Sequence, residues 1–142
     1  MARLLRAGLL MIDPVAAELR RWASEPFDDL RANCAISVAS YVARATGQPL
    51  PKWMQRISRI GAARLMAREE RFLTIADRGM ARLGCTETAE PGRGDVGLID
   101  LPGSGLTAAI CTGRLWAARG DRETVIGRGE VRREWRLPCP RQ

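Results

Sequence analysis

The apolar periodicity of this chain changes once, near Asp95, and that change limits the folds open to it. Upstream, apolar residues recur at helical spacing; downstream, short apolar runs alternate with glycine-rich turns. Asp13 before Pro14 is a capping pair. Val15, Leu19 and Trp22 then share one face of a helix predicted over about 14–24 and stopped by Pro26. Cys34, Val38, Tyr41, Val42 and Ala45 share a face of the next helix, with Asn33 at its N-cap and Gly47 at its C′ position. Gln48-Pro49-Leu50-Pro51 breaks the chain. A third helix is predicted from 58 to about 69, with Ile60, Ala63 and Ala67 inward. A fourth spans 71–83, with Phe72, Ile75, Met80 and Leu83 apolar and Gly84 as its stop.

Residues 86–94 read as polar turn. Strands follow at 95–100, 106–112, 115–118, 123–126 and 134–137. The second is apolar nearly throughout, so it is expected to be buried on both faces. Helices first and an antiparallel meander second make an α+β domain with segregated halves.

With 142 residues the chain is long enough for one domain with a real core. Its net charge is +7, and Lys52 is the only lysine. The arginines are scattered in sequence rather than interleaved with aromatics, so nucleic acid is not expected as a partner, and solvated helix faces account for most of the charge. Cys34, Cys85, Cys111 and Cys139 lie far apart with no histidine beside them, so neither a metal nor another cofactor is expected, and no disulfide is proposed. The apolar run at 4–12 is broken by Arg6 and is too short to span a membrane. Val15-Ala16-Ala17 matches a signal-cleavage site poorly. Residues 1–12 are therefore expected to be a tail or docking segment. Residues 13–142 form a single domain, with a helical half at 13–84 and a sheet half at 95–138.

Cys34 is the residue with chemistry to offer. A helix N-terminus has free N–H groups and partial positive charge, which favour a thiolate. Cysteine hydrolases prepare a nucleophile in this way. The chain contains no histidine, however, so no Cys–His pair can form within it. Asp29, Asp95 and Asp100 are weak bases unless buried, and each would repel the thiolate. The plainer reading makes Cys34 a small apolar residue packing inward. Trp116 and Trp135 are expected in the sheet core.

A cysteine opening a helix, two further helices, and Arg93-Gly94-Asp95-Val96 leading into an antiparallel sheet resemble the NlpC-type papain-like fold, whose members cut peptide bonds in bacterial cell walls. The order Pro26-Phe27, Asn33-Cys34, Thr46-Gly47, Arg93 to Val96, Ala109 to Gly113 and Trp135-Arg136 is similar to that of short proteins encoded in phage and gene-transfer-agent tail gene clusters. The resemblance covers residues from about 13 to 138. It implies a papain-like domain with Cys34 at the nucleophile position and Thr107 at the histidine position. The family's Trp-Gly-x-His-Asp before the cysteine is replaced here by Asp29-Leu30-Arg31-Ala32-Asn33. Threonine cannot take a proton from a thiol near neutral pH.

The resemblance thus implies a catalytically degenerate domain, not an active enzyme. Such a domain would serve as a structural or assembly component of a phage or phage-like tail tip. It would contact other tail-tip or baseplate proteins, in the virion tail or while assembling in the host cytoplasm. The alternative is an active cysteine peptidoglycan hydrolase that uses Cys34 and a base from elsewhere. Either way, the strand at 106–112 is expected to pass over Cys34 with the Thr107 face towards the sulfur.

Overall fold

A computed structural model describes residues 13–26, 34–56, 59–120 and 122–138, with backbone only at 59–60 and 62–63. The expected cap Asn33, the 1–12 segment, Cys139 and the side chains of Ile60 and Ala63 lie outside the described residues.

Capping chemistry starts helix α1, Pro14–Ser24. The Asp13 carboxylate accepts from the Val15 N–H at 3.0 Å, and proline occupies the first position, where an N–H would have had no helical partner. Helix α2, Cys34–Thr46, ends where Gly47 takes a left-handed conformation, as expected. Three helices follow: α3 (Lys52–Arg56), α4 (Arg59–Ala67) and α5 (Glu69–Arg82). The five-residue α3 is too short to reveal itself by periodicity, and the sequence reading assigns no element to 52–57. Ala67, expected inward, is exposed; Met66 instead packs on the core.

The second half forms one six-stranded antiparallel sheet in the order β1-β6-β2-β3-β4-β5. Its strands are β1 (Thr86–Glu87), β2 (Val96–Leu101), β3 (Gly105–Cys111), β4 (Trp116–Arg119), β5 (Thr124–Gly127) and β6 (Glu130–Arg136). The domain is therefore α+β, with its helices N-terminal and its sheet C-terminal. β1 pairs only through Thr86 and Glu87, and this contact with β6 has no local sequence signal. β6 starts four residues before the predicted strand, because pairing with β2 recruits the charged stretch from Glu130.

The sheet must roll. Three Cα steps from Gly127 to Glu130 cover at most about 11 Å. In a flat sheet, β5 and β6 would be four strand spacings apart, about 19 Å. A register shift in the β2–β6 ladder at Leu98/Ile99 adds local twist. The crossing is close: a Cβ on Gly129 would lie 2.6 Å from the Asp100 carbonyl oxygen and from Ile99 Cγ2.

Rolling gives the sheet two apolar faces. The outer face carries Val96, Leu98, Ala108, Ile110 and Trp135 against Val15, Val38, Tyr41, Val42 and Phe72 of the helices. The inner face gathers Ile99, Leu101, Ala109, Cys111, Trp116 and Ala118. Residues 107–111 of β3 are thus buried on both sides, and Trp116 and Trp135 are core residues, as their sequence context predicts.

Candidate functional site around Cys34

Helix α2 packs chiefly against β3, which sets the surroundings of Cys34. The residue is half-buried at the helix N-terminus. The backbone N–H groups of Ala108, Ala35 and Cys34 itself face the sulfur and favour its anion. Burial outweighs them and pushes the Cys34 thiol above its ordinary value. β3 pairs with β4 only at Ile110 and Cys111, so the Ala108 end of β3 has no β4 partner and can reach the helix.

The strand that passes over Cys34 is the expected one, but the face is not. The side turned to α2 carries Ala108 and Ile110, with Leu106 packed beside them. Ala109 and Cys111 belong to the inner cluster, and strand alternation puts Thr107 on that side. Thr107 is buried, and its hydroxyl donates to the Gly105 carbonyl at 3.0 Å. The expectation that Thr107 faces the sulfur is corrected. A side-chain period of two makes a one-residue error in reading a strand a complete change of face. The β3 residue that touches the sulfur is Ala108, whose side chain has no base to offer.

Two of the three carboxylates considered as substitute bases, Asp95 and Asp100, are committed elsewhere. Asp95 accepts from the Gly92 N–H at 2.8 Å and the Leu137 N–H at 3.1 Å, joining the turn before β2 to the end of β6. Asp100 lies 3.6 Å from Arg132. Asp29 lies outside the described residues. Among the described residues, no group of three His, Cys, Asp or Glu side chains converges as a metal site would need.

Two supporting side chains carry no local sequence signal. Tyr41 donates to the Gly94 carbonyl at 2.7 Å, joining α2 to the turn that starts the sheet. Gly94 has φ of 100°, and a Cβ there would stand 3.3 Å from the Tyr41 oxygen, so glycine is needed on both counts. Arg119, 6% exposed, closes the other side of α2. Its guanidinium donates to Ser37 Oγ at 3.3 Å and to the carbonyls of Glu25 at 2.6 Å and Pro26 at 3.1 Å. Ser37 sits one helical turn beyond Cys34, so Arg119 holds the α2 entrance against the end of α1.

The site can hold a sulfur and direct three N–H groups at it. Among the described residues it supplies no group of suitable pKa to remove the thiol proton or return it to a leaving group.

A family model described as a domain of unknown function, DUF6950, matches residues 12–137, and the chain belongs to that family. No curated protein and no solved structure matches the chain.

Proposed function

We propose that this DUF6950 domain is a catalytically degenerate papain-like module that works as a structural or assembly component, not as an enzyme. One observation carries the reading: Cys34 opens an apolar helix under a strand, where a hydrolase nucleophile would stand. Among the described residues it meets backbone N–H groups and no basic side chain, in a chain without histidine. Burial that raises the thiol acts against activation, whereas enzymes that use cysteine lower it. Tying polar groups such as Tyr41, Asp95 and Arg119 into the frame preserves the packing of the fold rather than a reaction. The motif order shared with phage and gene-transfer-agent tail clusters suggests the setting: a tail tip, with neighbouring tail or baseplate proteins as partners.

The test is a pair of measurements. Purified protein and Cys34→Ala are incubated with peptidoglycan and muropeptides, and the Cys34→Ala allele replaces the native gene in the particle-producing host. The expected result is no Cys34-dependent cleavage and normal particle yield from the substituted allele, with yield lost on deletion. Cleavage abolished by Cys34→Ala would overturn the reading. It would favour the alternative, which has its own support in the three N–H groups at the sulfur: a hydrolase that takes its base from a partner chain.

A further inference from the structure

The cations of this chain look dispersed in sequence, but the fold brings Arg78 and Arg82 beside Trp53. Residues 52–82 carry eight cationic side chains against three acidic ones. Two of those acids are taken up by the sheet: Glu69 pairs with Arg132 at 2.9 Å, and Asp77 pairs with Arg133. Lys52, Arg56, Arg71, Arg78 and Arg82 are exposed and make no ion pair among the described residues. Arg71, Arg78 and Arg82 fall on one stripe of α5.

A groove of about 590 Å³ runs between α3 and α5, lined by Trp53, Ile75, Gly79 and Ala81 and edged by Arg78 and Arg82. Trp53 is 40% exposed, whereas Trp22, Trp116 and Trp135 are all buried. Gly79 lies inside a helix, where glycine is unfavourable. A Cβ built on it would meet nothing within 4 Å, so the fold's own packing does not require glycine there. Its effect is to keep the groove deep beside the indole. An exposed ring, an open floor and unpaired guanidinium groups are the parts of a site for a planar base joined to phosphate.

We propose that the α3–α5 groove binds single-stranded nucleic acid, with a base stacked on Trp53 and the phosphates following Arg78, Arg82 and the neighbouring cations. A duplex stacks its bases on one another and offers Trp53 no free ring, which is why the partner is a single strand. The proposal goes beyond the reading of Cys34 and does not depend on it.

The experiment follows the anisotropy of a labelled oligo(dT) of about fifteen nucleotides, titrated with the full chain from about 50 to 200 mM salt. The affinity is expected to fall steeply with salt. Arg78→Glu combined with Arg82→Glu should weaken binding more than about tenfold and flatten the salt slope. Trp53→Ala should weaken it about tenfold with the slope unchanged, because stacking carries no counterion release. Gly79→Leu should weaken it comparably without lowering the melting temperature, which separates a filled groove from a damaged fold. The proposal is overturned by absent or salt-insensitive binding, by equal binding of a duplex of the same length, or by a neutral Trp53→Ala. It is also overturned if phosphatidylcholine–phosphatidylglycerol vesicles capture the protein with the same dependence on Trp53, Arg78 and Arg82.

Discussion

The two flanks of helix α2 treat charge in opposite ways. On the α1 and β4 side, polar groups are buried and tied together. Glu18, 4% exposed, accepts twice from Arg44 at 2.5 Å, and Arg119 is held by Ser37 and two carbonyls. On the α3–α5 side, the contacts with the core are apolar, through Met66, Phe72, Leu73 and Met80, and the cations stand in solvent. Burying polar groups costs free energy unless each finds its partner, so the first flank is specific about geometry. In the second, Lys52, Arg56, Arg71, Arg78 and Arg82 make no ion pair among the described residues. Charge that does not serve the fold is available for a partner.

The comparison breaks first at Arg119. Arg119→Met keeps most of the apolar stem but leaves the Glu25 and Pro26 carbonyls and Ser37 Oγ without their donor. A loss of about 3 kcal/mol is expected in urea unfolding, since unsatisfied buried groups outweigh the relief of desolvating a cation. A neutral or stabilising result would mean that this polar tether is dispensable. Arg44→Ala comes next, at about 2 kcal/mol. It strips the paired oxygens of a buried carboxylate, but Arg21 at 3.8 Å from Glu18 limits the damage. A loss below about 0.5 kcal/mol would put the pair in the class of surface bridges.

Alkaline pH probes the polar groups in a third way. Burial, with Asp95 nearby, pushes the Cys85 thiol up to about 11. A thiol whose folded value is raised favours the folded state while it is protonated. Its contribution is therefore complete below the unfolded value near 9 and is lost as pH rises towards 11. Cys34 and Tyr41 are shifted the same way by burial, so the melting temperature of the native chain should fall across this range. Cys85→Ala should fall less steeply than the native chain. Parallel curves for the two proteins would remove Cys85 from the account.

What the sequence reveals divides along the same line. The periodicity of Val15, Leu19 and Trp22, or of Val38, Tyr41 and Val42, is local and marks the helices that carry the core. The glycine and proline turns mark the strands. Thr107 shows the limit: counting along an apolar strand finds the strand over Cys34 but not its face, because apolar residues on both faces remove the alternation that fixes register. Arg119 and Tyr41 act through partners 53 to 94 residues away, and no local pattern marks such a contact. The placing of Arg78 and Arg82 beside Trp53 is likewise a product of folding. The chain's cations look dispersed in sequence, and α3 is too short to announce that it will bring an indole beside α5.

The smallest expected effect tests the second flank directly. Gly79 sits in the last turn of α5 and is buried, yet a methyl group there would meet no atom within 4 Å. Helix propensity alone favours alanine over glycine by about 1 kcal/mol, mostly by restricting the unfolded chain. If glycine served the packing of α5 against the sheet, Gly79→Ala would introduce a clash and destabilise the protein. If it only leaves room beside Trp53, the variant should be more stable by roughly 0.5–1 kcal/mol in thermal or urea unfolding. A gain would mean that the native chain forgoes stability to keep the groove open, as expected of a surface reserved for something outside the fold. A loss would return Gly79 to the core and leave the exposed Trp53 to be explained by itself.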